Sequence, residues 1–71
     1  MSTSDDAIFT LTRTINDTSM DVDIRAAAAE GLGFAGGREA RRILIEVLGD
    51  YRAGAAIRVA AARALGHAAN R

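Results

Sequence analysis

An all-α fold of stacked helical hairpins is predicted for this chain by three observations: an internal repeat, alanine-rich segments with helical period, and glycines between those segments. A block beginning at Ile24, IRAAAAEGLG, returns 33 residues later at Ile57 as IRVAAARALG. Sliding the chain by that period aligns residues 5–38 with 38–71 without a gap, and 12 of the 34 aligned pairs are identical. Among them are Leu11/Leu44, Asp17/Asp50, Ile24/Ile57, Arg25/Arg58, Ala28/Ala61, Leu32/Leu65 and Gly33/Gly66. A fixed period of this length marks a stacked repeat, in which one supersecondary unit cannot bury its apolar face alone. Proline is absent and alanine fills 16 positions, so helices are favoured over strands. The expected architecture is a short α-α superhelix: four helices forming about two repeats, in a single domain over 1–71.

The first helix is expected over about 5–15, with Ser4 as N-cap and Asp5 and Asp6 where the helix dipole favours negative charge. Its inward face reads Ala7, Leu11 and Ile15, helped by Ile8. A polar linker supplies Asp21 or Asp23 to cap the second helix, about 23–35. That helix carries the stripe Ile24, Ala27, Ala28, Gly31, Leu32, Ala35 at i, i+3, i+4, i+7, i+8 and i+11. Gly36 and Gly37 end it. Gly31 inside a helix costs about 1 kcal/mol relative to alanine, for which close helix packing is the expected compensation.

The third helix, about 38–48, turns Ala40, Ile43, Leu44, Val47 and Leu48 inward, with Ile45 displaced from that stripe, and is expected to be the centre of the core. Gly49 and Gly54 bracket a turn. The fourth helix, about 55–68, repeats the stripe of the second as Ile57, Ala60, Ala61, Ala64, Leu65 and Ala68. Thr10 and Thr14 stand where the third helix has Ile43 and Val47, so the first helix reads as a solvated cap of the stack. The other end has no such cap. The outer side of the third and fourth helices, with Ile45, Val59, Ala62, Arg63 and Leu65, is therefore expected to be covered by another molecule.

Seventy-one residues bury only roughly 60% of the unfolded surface, which leaves stability marginal. No cysteine is present, so neither disulfides nor thiolate metal sites can help, and a lone histidine cannot build a zinc site. Oligomerisation is the remaining route. No secretory leader or membrane-length apolar run is visible, so a cytoplasmic protein with no membrane partner is expected. Net charge is zero but unevenly placed. Residues 1–37 hold six carboxylates against two arginines, and residues 38–71 hold seven arginines against three carboxylates. The halves thus carry −4 and +4.

The two echoes, Asp17 followed by Ile24-Arg25-Ala26-Ala27-Ala28-Ala29-Glu30-Gly31-Leu32-Gly33 and Asp50 followed by Ile57-Arg58-Val59-Ala60-Ala61-Ala62-Arg63-Ala64-Leu65-Gly66, resemble the HEAT-like repeats named after phycobiliprotein lyases. The resemblance covers nearly the whole chain. It implies antiparallel helix pairs in a right-handed stack, and an arginine that reaches back to the turn's aspartate. Arg25 with Asp17 and Arg58 with Asp50 are the pairs so implied. Here each pair is separated by eight residues, about two more than is usual in that pattern, and the customary proline is absent.

No enzyme chemistry is legible. Gly31-Leu32-Gly33-Phe34-Ala35-Gly36 fits the spacing of a dinucleotide-binding loop, but that motif must follow a strand and open a helix, whereas this one closes an alanine helix. His67 has no histidine, cysteine or suitably spaced carboxylate for company, and reads as an end-of-helix residue. The acidic pairs Asp5-Asp6 and Asp21/Asp23 sit at helix starts, where capping accounts for them. Arg38, Arg41 and Arg42 fall at i, i+3 and i+4, and with Arg52 form a basic patch that could track phosphates. Nearby Glu39, Glu46 and Asp50 weaken that footprint.

The expected function is a non-enzymatic protein-interaction module, without catalytic, cofactor or metal site, that self-associates as a twofold homodimer through its C-terminal half. A head-to-tail arrangement, acidic half against arginine-rich half, is the salt-sensitive alternative. Two other readings compete. The resemblance implies an accessory subunit of a bilin-lyase-like enzyme system, and the basic patch suggests nucleic-acid backbone binding. No small-molecule ligand is evident.

Overall fold

The computed structural model describes residues 3–69. Arg71, counted above with the basic half, lies outside them, as do the side chains of Thr3 and Ser4. Four α-helices follow in order: α1 (Thr3–Asn16), α2 (Val22–Ala35), α3 (Gly37–Leu48) and α4 (Ala55–Ala68), with a one-turn 3-10 helix at Tyr51–Ala53 before α4. No strand occurs among the described residues. The chain is all-α, as its repeat and alanine content predict.

Local chemistry accounts for the turns. After α1, the Asp17 carboxylate accepts from the Ser19 backbone N–H at 2.9 Å and from its hydroxyl at 2.6 Å, an Asx turn that offers the backbone an alternative to continuing the helix. Asp50 does the same after α3, accepting from the Arg52 N–H at 3.0 Å and so nucleating the 3-10 turn. Between α2 and α3 the chain reverses within two residues because Gly36 and Gly37 both take positive φ, 70° and 86°, a conformation that side chains with a Cβ disfavour. Asp21 is the N-cap residue of α2 but makes no side-chain capping hydrogen bond. Ser4 lies inside α1 rather than at its cap, since that helix begins at Thr3.

The core runs along the middle of the four helices: Ile15 from α1, Ala28, Ala29 and Leu32 from α2, Ala40, Ile43, Leu44 and Val47 from α3, and Ile57, Ala60, Ala61, Ala64 and Ala68 from α4. The α3 and α4 faces are those the sequence predicts, with Leu48 and Leu65 only partly buried at the margin. Two expectations need correction. Ala7 is exposed, so α1 contributes Ile8, Leu11 and Ile15 instead. In α2 the stripe is rotated: Ala28, Ala29, Leu32 and Gly33 are buried, while Ile24, Ala27 and Ala35 face outward.

The rotation has a packing cause. α2 packs against α1 and α4, and α4 against α3 and α2, so the two alanine helices meet through different sides: α2 turns Gly33 to the joint and α4 turns Ala64. The most extensive contact in the molecule joins α2 to α4, not α3 to its neighbours, so the centre of the fold lies between the two alanine helices. Small side chains make this possible. A Cβ placed on Gly33 would lie 2.6 Å from the Ala64 carbonyl oxygen and 2.8 Å from its Cα, so the two backbones nearly touch there. Gly31, the glycine expected to permit close packing, faces only the flexible end of Leu11, at 3.2 Å.

Candidate interaction surface

Translating the first repeat onto the second separates residues that a neighbour covers from identical or similar residues that none covers. On α2, Ala29 is fully buried and Gly33 is buried against α4. Their counterparts on α4, Ala62 and Gly66, are exposed, and Val59 beside them is 49% exposed. A Cβ added to Gly66 would meet nothing within 4 Å. Ile45 on α3 is 58% exposed, while its counterpart Thr12 sits half-buried at the groove between α1 and α3. Four of the five residues that the sequence assigns to an interface, Ile45, Val59, Ala62 and Arg63, thus lie exposed on the outer side of α3 and α4. Leu65 does not join them, because it packs partly against the core.

The opposite flank shows the complementary pattern. Ile24 is 47% exposed, whereas its counterpart Ile57 is buried at 1%. Ala27 and Ala35 are likewise exposed where Ala60 and Ala68 are buried. The stripe pattern of α2 places this row in the core, whereas in the fold it is surface, as is Gly66, which no interface expectation includes. The recurrence of glycine at Gly33 and Gly66 was the available signal, but only the direction of stacking tells which copy is covered.

Along α1 the threonine hydroxyls turn back onto their own helix. Thr12 Oγ1 donates to the Ile8 carbonyl at 2.7 Å and Thr14 Oγ1 to the Thr10 carbonyl at 2.9 Å. A depression beside them is lined by Phe9, Thr10, Arg13, Thr14, Asp17 and Met20. Arg13 lies over the Phe9 ring at 5.7 Å.

The basic patch disperses. Arg42 is held between two carboxylates, with Nη2 2.8 Å from Glu39 Oε2 and Nη1 2.7 Å from Glu46 Oε2. The hydrogen bond and charge of Arg42 hold the Glu39 carboxyl below its usual range, and Glu39 in turn raises Arg42. Arg52 pairs with Asp50 at 3.1 Å. Arg41 extends the other way, toward the Ala68 carbonyl at 3.5 Å, where the C-terminal end of α4 favours a cation. Arg38 is exposed. Spacing at i, i+3 and i+4 gathers these residues on one side of α3, but their carboxylate neighbours and the α4 terminus draw the guanidinium groups apart.

The arginines of the repeated motif do reach back toward the preceding turn, although to carbonyls rather than carboxylates. Arg25 Nε donates to the Ile15 carbonyl at 2.8 Å, and Arg58 Nε donates to the Leu48 carbonyl at 2.8 Å. Both acceptors are among the last carbonyls of their helices, which lack intrahelical partners. Each arginine therefore pins the end of one helix to the start of the next. The expected Asp17–Arg25 and Asp50–Arg58 ion pairs are replaced by this arrangement, because both carboxylates are occupied in their own turns. The Ser19 hydroxyl and N–H lower the Asp17 carboxyl foremost, with Arg13 and Arg25 contributing less. The Arg52 N–H first, and then its guanidinium, lower the Asp50 carboxyl, ahead of Arg58. Arg58 also lies over the Tyr51 ring at 5.0 Å.

His67 stacks on Phe34, its counterpart in the repeat, with ring centroids 5.3 Å apart and planes at 27°. No group of three or more metal-ligating side chains occurs among the described residues, and no helix among them is long and apolar enough to cross a membrane. A family model for HEAT repeats matches residues 4–70. The chain belongs to the HEAT-repeat family. Comparisons with curated proteins and with solved structures give no match. HEAT repeats are generally protein-interaction modules and non-enzymatic scaffolds. In this HEAT chain, apolar and small side chains, among them Ile45, Val59 and Ala62, stand exposed on helix faces, where they can be buried against another surface.

Proposed function

We propose that the chain is a non-enzymatic protein-interaction module that self-associates, and that the outer side of α3 and α4 is its docking surface. One observation supports this most: Ala62 and Gly66 are exposed on α4, whereas the same register positions of α2, Ala29 and Gly33, are shut inside the molecule against another helix. Burying Val59 and Ile45 there adds apolar area of the kind that drives association. Phosphate-backbone binding is less favoured, since Arg42 and Arg52 are engaged with carboxylates.

Light scattering coupled to size-exclusion chromatography tests the reading. The native chain at micromolar concentration is expected to run above monomer mass, and Val59→Glu at monomer mass with unchanged helical circular dichroism. A well-folded native monomer across that range would contradict self-association.

A further inference from the structure

We infer that the partner seated on the α4 flank is the α2 flank of a second copy, so that molecules stack head to tail and continue the repeat. This rests on the docking surface proposed above and specifies its partner and geometry. The joint inside the chain supplies the template. There, Gly33 of α2 approaches the Ala64 backbone of α4. Advancing both positions by one repeat on the tail and stepping back on the head sets Gly66 of one copy against Gly31 of the next, Ala62 against Ala27, and Val59 against Ile24. These head residues are the ones whose counterparts on α4 are buried within the chain, so each flank is the complement of the other.

Two further observations favour this polarity over pairing like flanks. The half bearing the head carries −4 and the half bearing the tail +4, so head-to-tail contact joins opposite charges, whereas tail-to-tail contact opposes arginine-rich halves. Asp23 and Glu30 border the head row on α2, and exposed Arg63 borders the tail row on α4. The ring stack has the same direction. Phe34 already packs on His67, its own counterpart one repeat on, and a second copy in register would place its Phe34 against the outer side of His67. The polar outer side of α1 is no obstacle, because α1 and α3 make little contact even within the chain and the α2–α4 pair carries the joint. A dimer joined by such a heterologous contact keeps one head and one tail open, so mass should rise with concentration beyond the dimer.

Sedimentation of two blocked variants tests the polarity. Ala62→Arg obstructs the tail and Ala27→Arg obstructs the head; both sites are exposed helix positions, and Gly66→Leu is a second tail block should the first perturb folding. Each variant alone is expected to associate at least tenfold more weakly than the native chain, with unchanged circular dichroism. An equimolar mixture of Ala62→Arg and Ala27→Arg is expected to restore a complex that stops at one copy of each. Association abolished by Ala62→Arg but untouched by Ala27→Arg would mean like flanks pair, overturning this inference while leaving the docking surface in place. Association unaffected by either variant, or a native chain that stays monomeric, would overturn it as well, the latter together with self-association itself.

Discussion

Alanine at Gly33 should destabilise the domain, and the identical substitution at Gly66 should stabilise it. The two glycines occupy the same register position of successive repeats, and both lie in helices where alanine is intrinsically favoured by about 0.5–1 kcal/mol. At Gly33 the new methyl would enter space already held by the Ala64 backbone, 2.6 Å from its oxygen. A backbone cannot step aside as the end of a side chain can, so α2 and α4 must separate along their whole contact. Overpacking of this kind costs roughly 1–3 kcal/mol and exceeds the propensity gain. A Cβ added at Gly66 would meet nothing within 4 Å, and the propensity gain stands alone. In a chain of this size each kcal/mol moves the melting temperature by about 4–8 °C. Thermal melts at low protein concentration should therefore show Gly33→Ala falling and Gly66→Ala rising by a few degrees.

Leu44→Ala should be more damaging still. Leu44 is fully buried on α3, among the largest side chains the core holds, and its truncation is expected to cost about 2–5 kcal/mol through lost transfer energy and a residual cavity. Stability of roughly 0.05–0.15 kcal/mol per residue gives a chain this short only about 4–10 kcal/mol in all. A large part of it would go, and the urea midpoint followed by circular dichroism should collapse toward zero denaturant. Leu11, the repeat counterpart on α1, is only partly buried, so Leu11→Ala should cost about half as much. Equal losses at the two leucines would mean that the repeats are packed alike.

These contrasts show what could be read from the residues and what could not. The faces of α3 and α4 were legible because their patterns are unambiguous: Glu39, Arg42 and Glu46 mark a solvent-exposed side of α3, and Ile57 anchors the inner side of α4. The face of α2 was not, because Ala26–Ala29 is a run of one residue type that marks no outward side. Copying the stripe of α4 onto α2 assumed equal neighbours, which a stack of two repeats does not provide. An end repeat lacks one neighbour, and the same letters then lie buried in one copy and exposed in the other.

The arginine contacts illustrate a different limit. The resemblance implies that Arg25 and Arg58 reach back to the preceding turns, but which acceptor each meets depends on chemistry one level down. Asp17 and Asp50 are consumed by their own Asx turns, and the helix-end carbonyls of Ile15 and Leu48 remain to be satisfied. In the same way the arginines of α3 share a side of the helix in sequence, yet diverge toward different partners in the fold.

The proposed docking flanks are copies of the joint between α2 and α4, so that joint must exist as described. Nuclear Overhauser contacts between the Gly33 α-protons and the Cα and Cβ protons of Ala64 test it most directly. Strong contacts, matching a separation at which no Cβ could be inserted, are the predicted result. Their absence, with Gly33 as open to solvent as Gly66, would contradict it.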